Sequence, residues 1–234
     1  GPADVLVEPA DVDDVARLVR QAREQKLPVF VVGGTNLLIR DQGIRGVVVS
    51  LAKLRGIREE PGAVLYAEGG VGMPTLIGYA IRRSLAGLEW AAGIPGTVAG
   101  CVVMNAGTRH GCIADVLAEL TVLSPSGELV TLRPDQAGLG YRESKLQGAA
   151  VLAARLRLAQ SDTDWVRQTV LRNFREKAAS QPLREACAGC VFKNPPGASA
   201  GRLIDSLRLK GTAVGGAAVS EKHANFIVNR GTAT

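Results

Sequence analysis

Aromatic residues are scarce in this 234-residue chain, at 4% of the sequence, too few to build the flat stacking surface on which single-stranded RNA is read. Cysteines are scarcer still. The four, at positions 101, 112, 187 and 190, are too few and too unevenly spread for a disulfide scaffold, so free thiols and a cytoplasmic setting are expected. A zinc centre on Cys187 and Cys190 would need two further ligands from His110, His223 or the two distant cysteines, and no metal is expected. No apolar run reaches the roughly 18 residues of a membrane span, and no charged segment leads into an apolar stretch at the start, so no membrane is expected. Basic residues cluster no further than pairs such as Arg82-Arg83, which argues against nucleic acid despite a net charge of +6. That charge points to a small phosphorylated ligand.

What is present reads as a globular protein. Hydrophobic residues make up 46% and charged residues 21%, the length suits one large or two modest domains, and 28 glycines call for many tight turns. Asp11 can cap a helix whose apolar residues Val12, Val15, Ala16, Val19 and Ala22 recur at helical spacing, between a strand at 4–7 and another at 28–32. This opening is a β-α-β unit. Strands are also expected near 46–51 and 64–68, and Pro74 starts a helix over 74–85. Ser124-Pro125-Ser126-Gly127 makes a hairpin turn between strands at 118–123 and 128–132. A strand at 152–158 precedes a helix capped within 160–164 and running to about 179. The remainder holds a Cys-Ala-Gly-Cys loop at 187–190, a short helix around 199–206 and a strand near 223–228.

Gly33-Gly34-Thr35-Asn36 directly follows a β-branched strand. Two glycines there permit positive φ and let backbone N–H groups come close to a pyrophosphate, while Thr35 and Asn36 add side-chain donors. The pattern is neither a G-x-G-x-x-G fingerprint nor a Walker loop. Gly69-Gly70-Val71-Gly72 and the stretch from Gly93 to Gly100 repeat the theme ahead of Met104-Asn105-Ala106-Gly107. Each could be a simple packing corner. Together, three backbone-exposing loops suit one extended ligand.

The stretches Val32-Gly33-Gly34-Thr35-Asn36-Leu37-Leu38 and Gly93-Ile94-Pro95-Gly96-Thr97-Val98 resemble the flavin loops of the UDP-N-acetylenolpyruvoylglucosamine reductase family. Gly140-Tyr141-Arg142-Glu143-Ser144, then Ala188 to Pro195, then Val219 to Phe226 extend the resemblance in the family's order. It implies an α+β fold: an FAD-binding domain of the vanillyl-alcohol-oxidase type over residues 1–162, then a smaller α+β substrate-binding domain, C-terminally incomplete, over 163–234. Gly33, Gly34, Thr35, Asn36 and Leu37 would hold the pyrophosphate. Gly93, Ile94, Pro95, Gly96 and Thr97, with Asn105, Ala106 and Gly107, would follow the rest of the FAD.

The implied reaction is the NADPH-dependent reduction of the enolpyruvyl ether of UDP-N-acetylglucosamine enolpyruvate to UDP-N-acetylmuramate, a cytoplasmic step of peptidoglycan synthesis and cell-wall biogenesis, carried out by a monomer. Charge developing on the substrate needs a fixed cation, and one carbon needs a proton. Arg142 would be the cation, and Cys190, where most of the family has serine, the proton donor. An isolated Arg142 would otherwise be read as a salt bridge to Glu143. Tyr141, Lys193 and Asn194 would bind substrate. The family's third catalytic residue, a glutamate near the C-terminus, has no counterpart before Thr234. The alternative expectation is therefore a flavin- and UDP-sugar-binding fragment without turnover. A Cys187–Cys190 disulfide that removes the proton donor is a further expectation.

Overall fold

The computed structural model describes every residue except Gly34, Gln147, Thr232 and Thr234. The opening unit consists of β1 (Ala3–Val7), α1 (Val12–Glu24), β2 (Val29–Val32) and β3 (Ile44–Ser50). Asp11 caps α1 as its spacing predicts, its carboxylate accepting from Asp14 N at 2.8 Å. Val15, Ala16, Val19 and Ala22 form the buried stripe; a fully buried Val contributes about 1.5–3 kcal/mol. β1 and β2 are parallel, but β3 lies between them and pairs with both, Val47 facing Val5 on one side and Val29 on the other. The central place of β3 explains its unbroken buried run Val47-Val48-Val49, since both of its faces are covered.

The next elements are β4 (Ile57–Glu60), β5 (Val64–Glu68), α2 (Met73–Arg82), the short β6 (Leu85–Ala86), a 3₁₀ turn at Glu89–Ala91 and α3 (Val98–Val103). Then come β7 (Gly107–Thr108), β8 (Gly111–Cys112), β9 (Leu117–Leu123), β10 (Leu129–Leu132) and β11 (Ala150–Arg157). An antiparallel sheet forms in the order β10-β9-β11-β5-β4. The expected hairpin closes through Gly127 N to Ser124 O at 2.9 Å, with Gly127 at φ +84. β4, with the sequence Ile-Arg-Glu-Glu, is not foreseen from its pattern; it is an edge strand, and its charges discourage pairing with a foreign strand. α3 packs on β11, so the loop ahead of α3 is carried by the middle of this sheet.

Gly69 and Gly70 have a packing role. A Cβ on Gly70 would stand 1.8 Å from Leu51 O, and one on Gly69 would stand 2.4 Å from Val151 O. This corner lets two chain segments touch at backbone distance, and Ala99 N and Val98 N bond to Gly69 O and Val71 O at 3.0 and 2.9 Å.

After β12 (Ala159–Gln160), α4 (Thr163–Ser180) begins at Asp162, whose carboxylate accepts from Trp165 N at 2.8 Å. α4 packs back on α2 and on the 3₁₀ turn, where Asn173 donates to Glu89 O at 2.9 Å. The last unit contains β13 (Ala186–Cys190), α5 (Ala200–Ser206), β14 (Ala213–Val214), β15 (Ala217–Val219) and β16 (Phe226–Asn229). Its antiparallel sheet runs β13-β16-β15-β14. The Cys-Ala-Gly-Cys stretch expected as a loop is the edge strand β13 instead, with Cys187 opposite Val228 and Cys190 opposite Phe226. The ladder slips between these two pairs, where Gly189 sits at φ +85. Its small residues have little β preference of their own; pairing with β16 imposes the conformation. The whole is an α+β fold.

Candidate active site

Two of the glycine loops meet through one hydroxyl. Thr97 Oγ1 donates to Gly33 O at the end of β2 and accepts from Gly100 N at 3.3 Å, which makes Thr97 the N-cap of α3. A Cβ on Gly33 would come 3.1 Å from Thr97 Oγ1, so glycine there allows the close approach. Gly34, expected among the cofactor residues, lies outside the described residues. Thr35, Asn36 and Leu37 are exposed. Asn36 Oδ1 lies 3.9 Å from the position a Cβ would take on Gly189, which brings the first loop beside β13.

The second loop turns on Gly93 at φ +71 and Gly96 at φ +101, both in the left-handed region. Gly96 O accepts from Met73 N at 3.0 Å, and Ile94 N donates to Ala91 O at 2.9 Å. Pro95 is exposed, with Ile94 and Gly96 half-buried beside it.

The third segment is tied to Arg142. Asn105 is buried at φ +38; its amide donates to Gly140 O at 2.8 Å, and its Oδ1 accepts from Ala114 N at 3.3 Å. Asn105 O and Gly107 O in turn accept from the Arg142 guanidinium, the first at 3.1 Å. Ala106 N donates to Cys101 O at 2.8 Å. Glycine at 107 is required by the β7–β8 hairpin, because a Cβ would come 2.6 Å from that of Cys112.

Arg142 occupies the left-handed region at φ +55, inside a turn closed by Gly140 N to Glu143 O at 3.0 Å. For a residue with a side chain this conformation costs about 1–2 kcal/mol. Arg142 is half-buried, and its guanidinium lies 5.5 Å from the Tyr141 ring centroid, with Tyr141 itself exposed. The Glu143 partner that an isolated arginine would suggest is absent: Glu143 pairs with Lys193 at 2.8 Å. That exposed bond, first among the causes, holds the Glu143 pKa below the ordinary carboxylate value. Among the described residues Arg142 therefore meets carbonyls and no carboxylate, which leaves its charge uncompensated.

Cys190 stands at the end of β13. Desolvation of its thiol pushes its pKa above the ordinary value, while the charges of Arg142 and Lys177 pull it down and Cys187 adds to the rise. The residue as a whole is exposed, so an outside molecule can reach it. Asn194 Oδ1 accepts from Ala200 N at 3.0 Å, at the start of α5.

Two residues that sequence reasoning did not single out shape this region. Asn225, 3% exposed, holds the segment after Cys190 with three bonds: Phe192 N to its Oδ1 at 3.0 Å, its Nδ2 to Phe192 O at 2.8 Å, and Val191 N to its O at 3.0 Å. The other is Lys177. Val166 and Asn173 mark the buried stripe of α4, and one helical step of four residues from Asn173 falls on Lys177. A lysine on a buried stripe is the signal that could have found it. Burial, the largest cause, drops its pKa to about 8, and the nearby charges are those of Cys101, Cys190 and Arg142.

Residues 3–133 match the FAD binding domain family, and residues 181–234 match the C-terminal domain of UDP-N-acetylenolpyruvoylglucosamine reductase. UDP-N-acetylenolpyruvoylglucosamine reductase 2 of Symbiobacterium thermophilum is 45% identical over all of this chain and 77% of its own length. The reductase of Moorella thermoacetica is 43% identical, over 100% of this chain and 78% of its own. The crystal structure of UDP-N-acetylenolpyruvylglucosamine reductase from Thermus caldophilus superposes with a TM-score of 0.85 at 37% identity, covering 97% of this chain and 82% of that one.

Proposed function

The chain belongs to the UDP-N-acetylenolpyruvoylglucosamine reductase family, and from that premise we propose that Arg142 and Cys190 carry its chemistry. It is an FAD-dependent oxidoreductase of peptidoglycan synthesis that reduces UDP-N-acetylglucosamine enolpyruvate. The observation that carries the assignment is a half-buried guanidinium that meets Asn105 O and Gly107 O and no carboxylate among the described residues, in a turn that the Glu143–Lys193 pair ties to the segment after Cys190.

Residues 33–37, 93–97 and 105–107 would hold FAD. The fit rests on the Thr97 bridge, on a position 33 where a Cβ would crowd Thr97, and on left-handed turns at Gly93 and Gly96 that few other residues adopt. Bound FAD supplies hydride-transfer chemistry, with NADPH as the electron source. Residues 1–162 and 163–234 are assigned to cofactor and substrate, α4 linking the two.

Arg142 receives the substrate's carboxylate. A guanidinium has five N–H donors; with two held by Asn105 O and Gly107 O, the rest of the fork can grip a carboxylate and stabilise the charge that grows on it. Preorganised donors of this kind are worth about 3–4 kcal/mol of barrier. Cys190 then protonates the adjacent carbon. Its raised pKa keeps the proton on sulfur at neutral pH, as a general acid requires. Tyr141 flanks the carboxylate, while Lys193 and the free amide NH₂ of Asn194 border the path of the UDP group. A proton-donating thiol must stay reduced, which suits the cytoplasm. The described residues include no helix long and apolar enough to cross a membrane, and the enzyme acts as a monomer.

Anaerobic titration tests this reading. FAD-loaded protein should lose its flavin absorbance on NADPH addition and regain it on addition of UDP-N-acetylglucosamine enolpyruvate. Bleaching that the substrate cannot reverse would leave a binding protein in place of a reductase.

A further inference from the structure

Cys187 and Cys190 stand three residues apart on β13, and in a regular strand that spacing would send their side chains to opposite faces of the sheet. The slip in the ladder reverses this. Cys187 faces Val228 and Cys190 faces Phe226, so Ala188 and Gly189 fill a span that β16 crosses with Ile227 alone. Residues paired across an antiparallel ladder share a face, and Val228 and Phe226, two apart on β16, point the same way. Both cysteines therefore lie on one face, two strand steps apart, with Cα atoms about 6–7 Å from each other. A disulfide spans Cα separations up to about 6.8 Å. Gly189 at φ +85 makes the bend; beyond its chain neighbours, a Cβ there would meet only Asn36 Oδ1 among the described residues, at 3.9 Å, so the bulge has room to tighten. β13 is an edge strand and both cysteines are exposed, which opens them to a small oxidant.

We propose that Cys187 and Cys190 form a redox-active dithiol site: an oxidant of the peroxide class converts them to a disulfide within β13 and so withdraws the proton donor, and a thiol reductant restores it. The dithiol site stands on the strand geometry, whereas the effect on turnover rests on the reading of Cys190 as donor. Desolvation holds the proton on Cys190, so Cys187 meets the oxidant first. The Cys187 thiolate attacks a peroxide oxygen; the O–O bond breaks, hydroxide leaves and a sulfenic acid remains on sulfur. Cys190 then displaces the sulfenic hydroxyl: the S–S bond forms, the S–O bond breaks, and the Cys190 proton departs with the hydroxyl as water. Two thiols and one hydrogen peroxide thus give one disulfide and two waters, the electron pair passing from sulfur to oxygen. In a reducing cytoplasm such a disulfide is transient and serves as a sensor, not as a staple.

The test treats FAD-loaded protein with hydrogen peroxide, blocks the remaining thiols with iodoacetamide, and weighs the tryptic peptide Glu185–Lys193, which holds both cysteines, after digestion without reductant. In the wild type this peptide should escape alkylation and be lighter than the dithiol form by two hydrogens. Turnover should fall by about 10²-fold or more while NADPH still bleaches the flavin, and dithiothreitol should reverse both changes. Cys187→Ser should keep its turnover at the same peroxide dose; Cys187→Ala serves the same comparison if the Ser variant loses FAD. A wild-type peptide that stays alkylated at both cysteines, or that carries sulfinic acid and no disulfide, would overturn the proposal, as would equal inactivation of Cys187→Ser. A disulfide that forms with turnover unchanged would instead remove Cys190 as donor while the dithiol site stands, so the two failures are told apart.

Discussion

Replacing Thr97 by valine removes one hydroxyl and almost no volume, and it separates two loops that are 64 residues apart in sequence. The hydroxyl makes two hydrogen bonds, to Gly33 O and from Gly100 N. Loss of an N-cap costs about 1 kcal/mol. Loss of the second bond costs about another 1 kcal/mol, since Gly33 O at a half-buried position is left without its donor. Together these lower stability by about 2 kcal/mol, or about 4–8 °C in Tm for a chain of this size. If the Thr97 bridge also preorganises the cofactor loops, part of that loss reappears in binding, and the FAD dissociation constant rises about three- to tenfold. The assay is FAD titration by flavin fluorescence alongside a thermal melt. Thr97→Ser should keep both values near those of the wild type. A Thr97→Val protein that melts lower yet binds FAD with unchanged affinity would refute the preorganisation argument, leaving Thr97 a helix cap alone.

Arg142→Lys should fail to restore turnover, with kcat down about 10²–10³-fold, because a point-charge ammonium cannot keep both carbonyl bonds and a carboxylate grip; NADPH should still bleach the flavin. Asn225→Ala should lower stability by about 2–3 kcal/mol in a denaturant melt, since the backbone of Phe192 loses a partner on both sides. The same variant should slow turnover more than flavin reduction, because Cys190 lies two residues away. Asp4 accepts from Gly46 N at 2.9 Å and from Arg45 at 2.7 Å, and the backbone bond first and Arg45 second lower its pKa. Its folded value is depressed, so its contribution is present above the unfolded pKa and disappears as pH falls through the folded one. The Tm gap between wild type and Asp4→Asn should accordingly close in acid.

The candidate site was legible in part. Arg142 and Cys190 stand in recognisable motifs, but the partner of Arg142 did not follow from them. The adjacent Glu143 looked like the counterion, whereas Lys193, 50 residues on, takes it and frees the guanidinium. Asn105 illustrates the same limit: its side chain serves Gly140 and Ala114, contacts across 35 and 9 residues, so what it offers a ligand was hidden from any local pattern. Lys177 sits on a helix that was foreseen, yet only packing against Gly93 turns that surface-type residue inward.

Local chemistry written in the chain settled the helix cap at Asp11, a second cap within 160–164 that falls on Asp162, and the Ser124–Gly127 hairpin, because these depend on neighbours three or four residues apart. Tertiary structure alone decided that β3 separates β1 from β2, that Cys187–Cys190 is a strand, and that Gly69 and Gly70 serve packing. Those outcomes depend on which distant backbone or side chain arrives to pair. A strand with weak preference of its own, or a charge with two candidate partners, takes the arrangement that buries the most apolar surface while leaving the fewest polar groups unmatched.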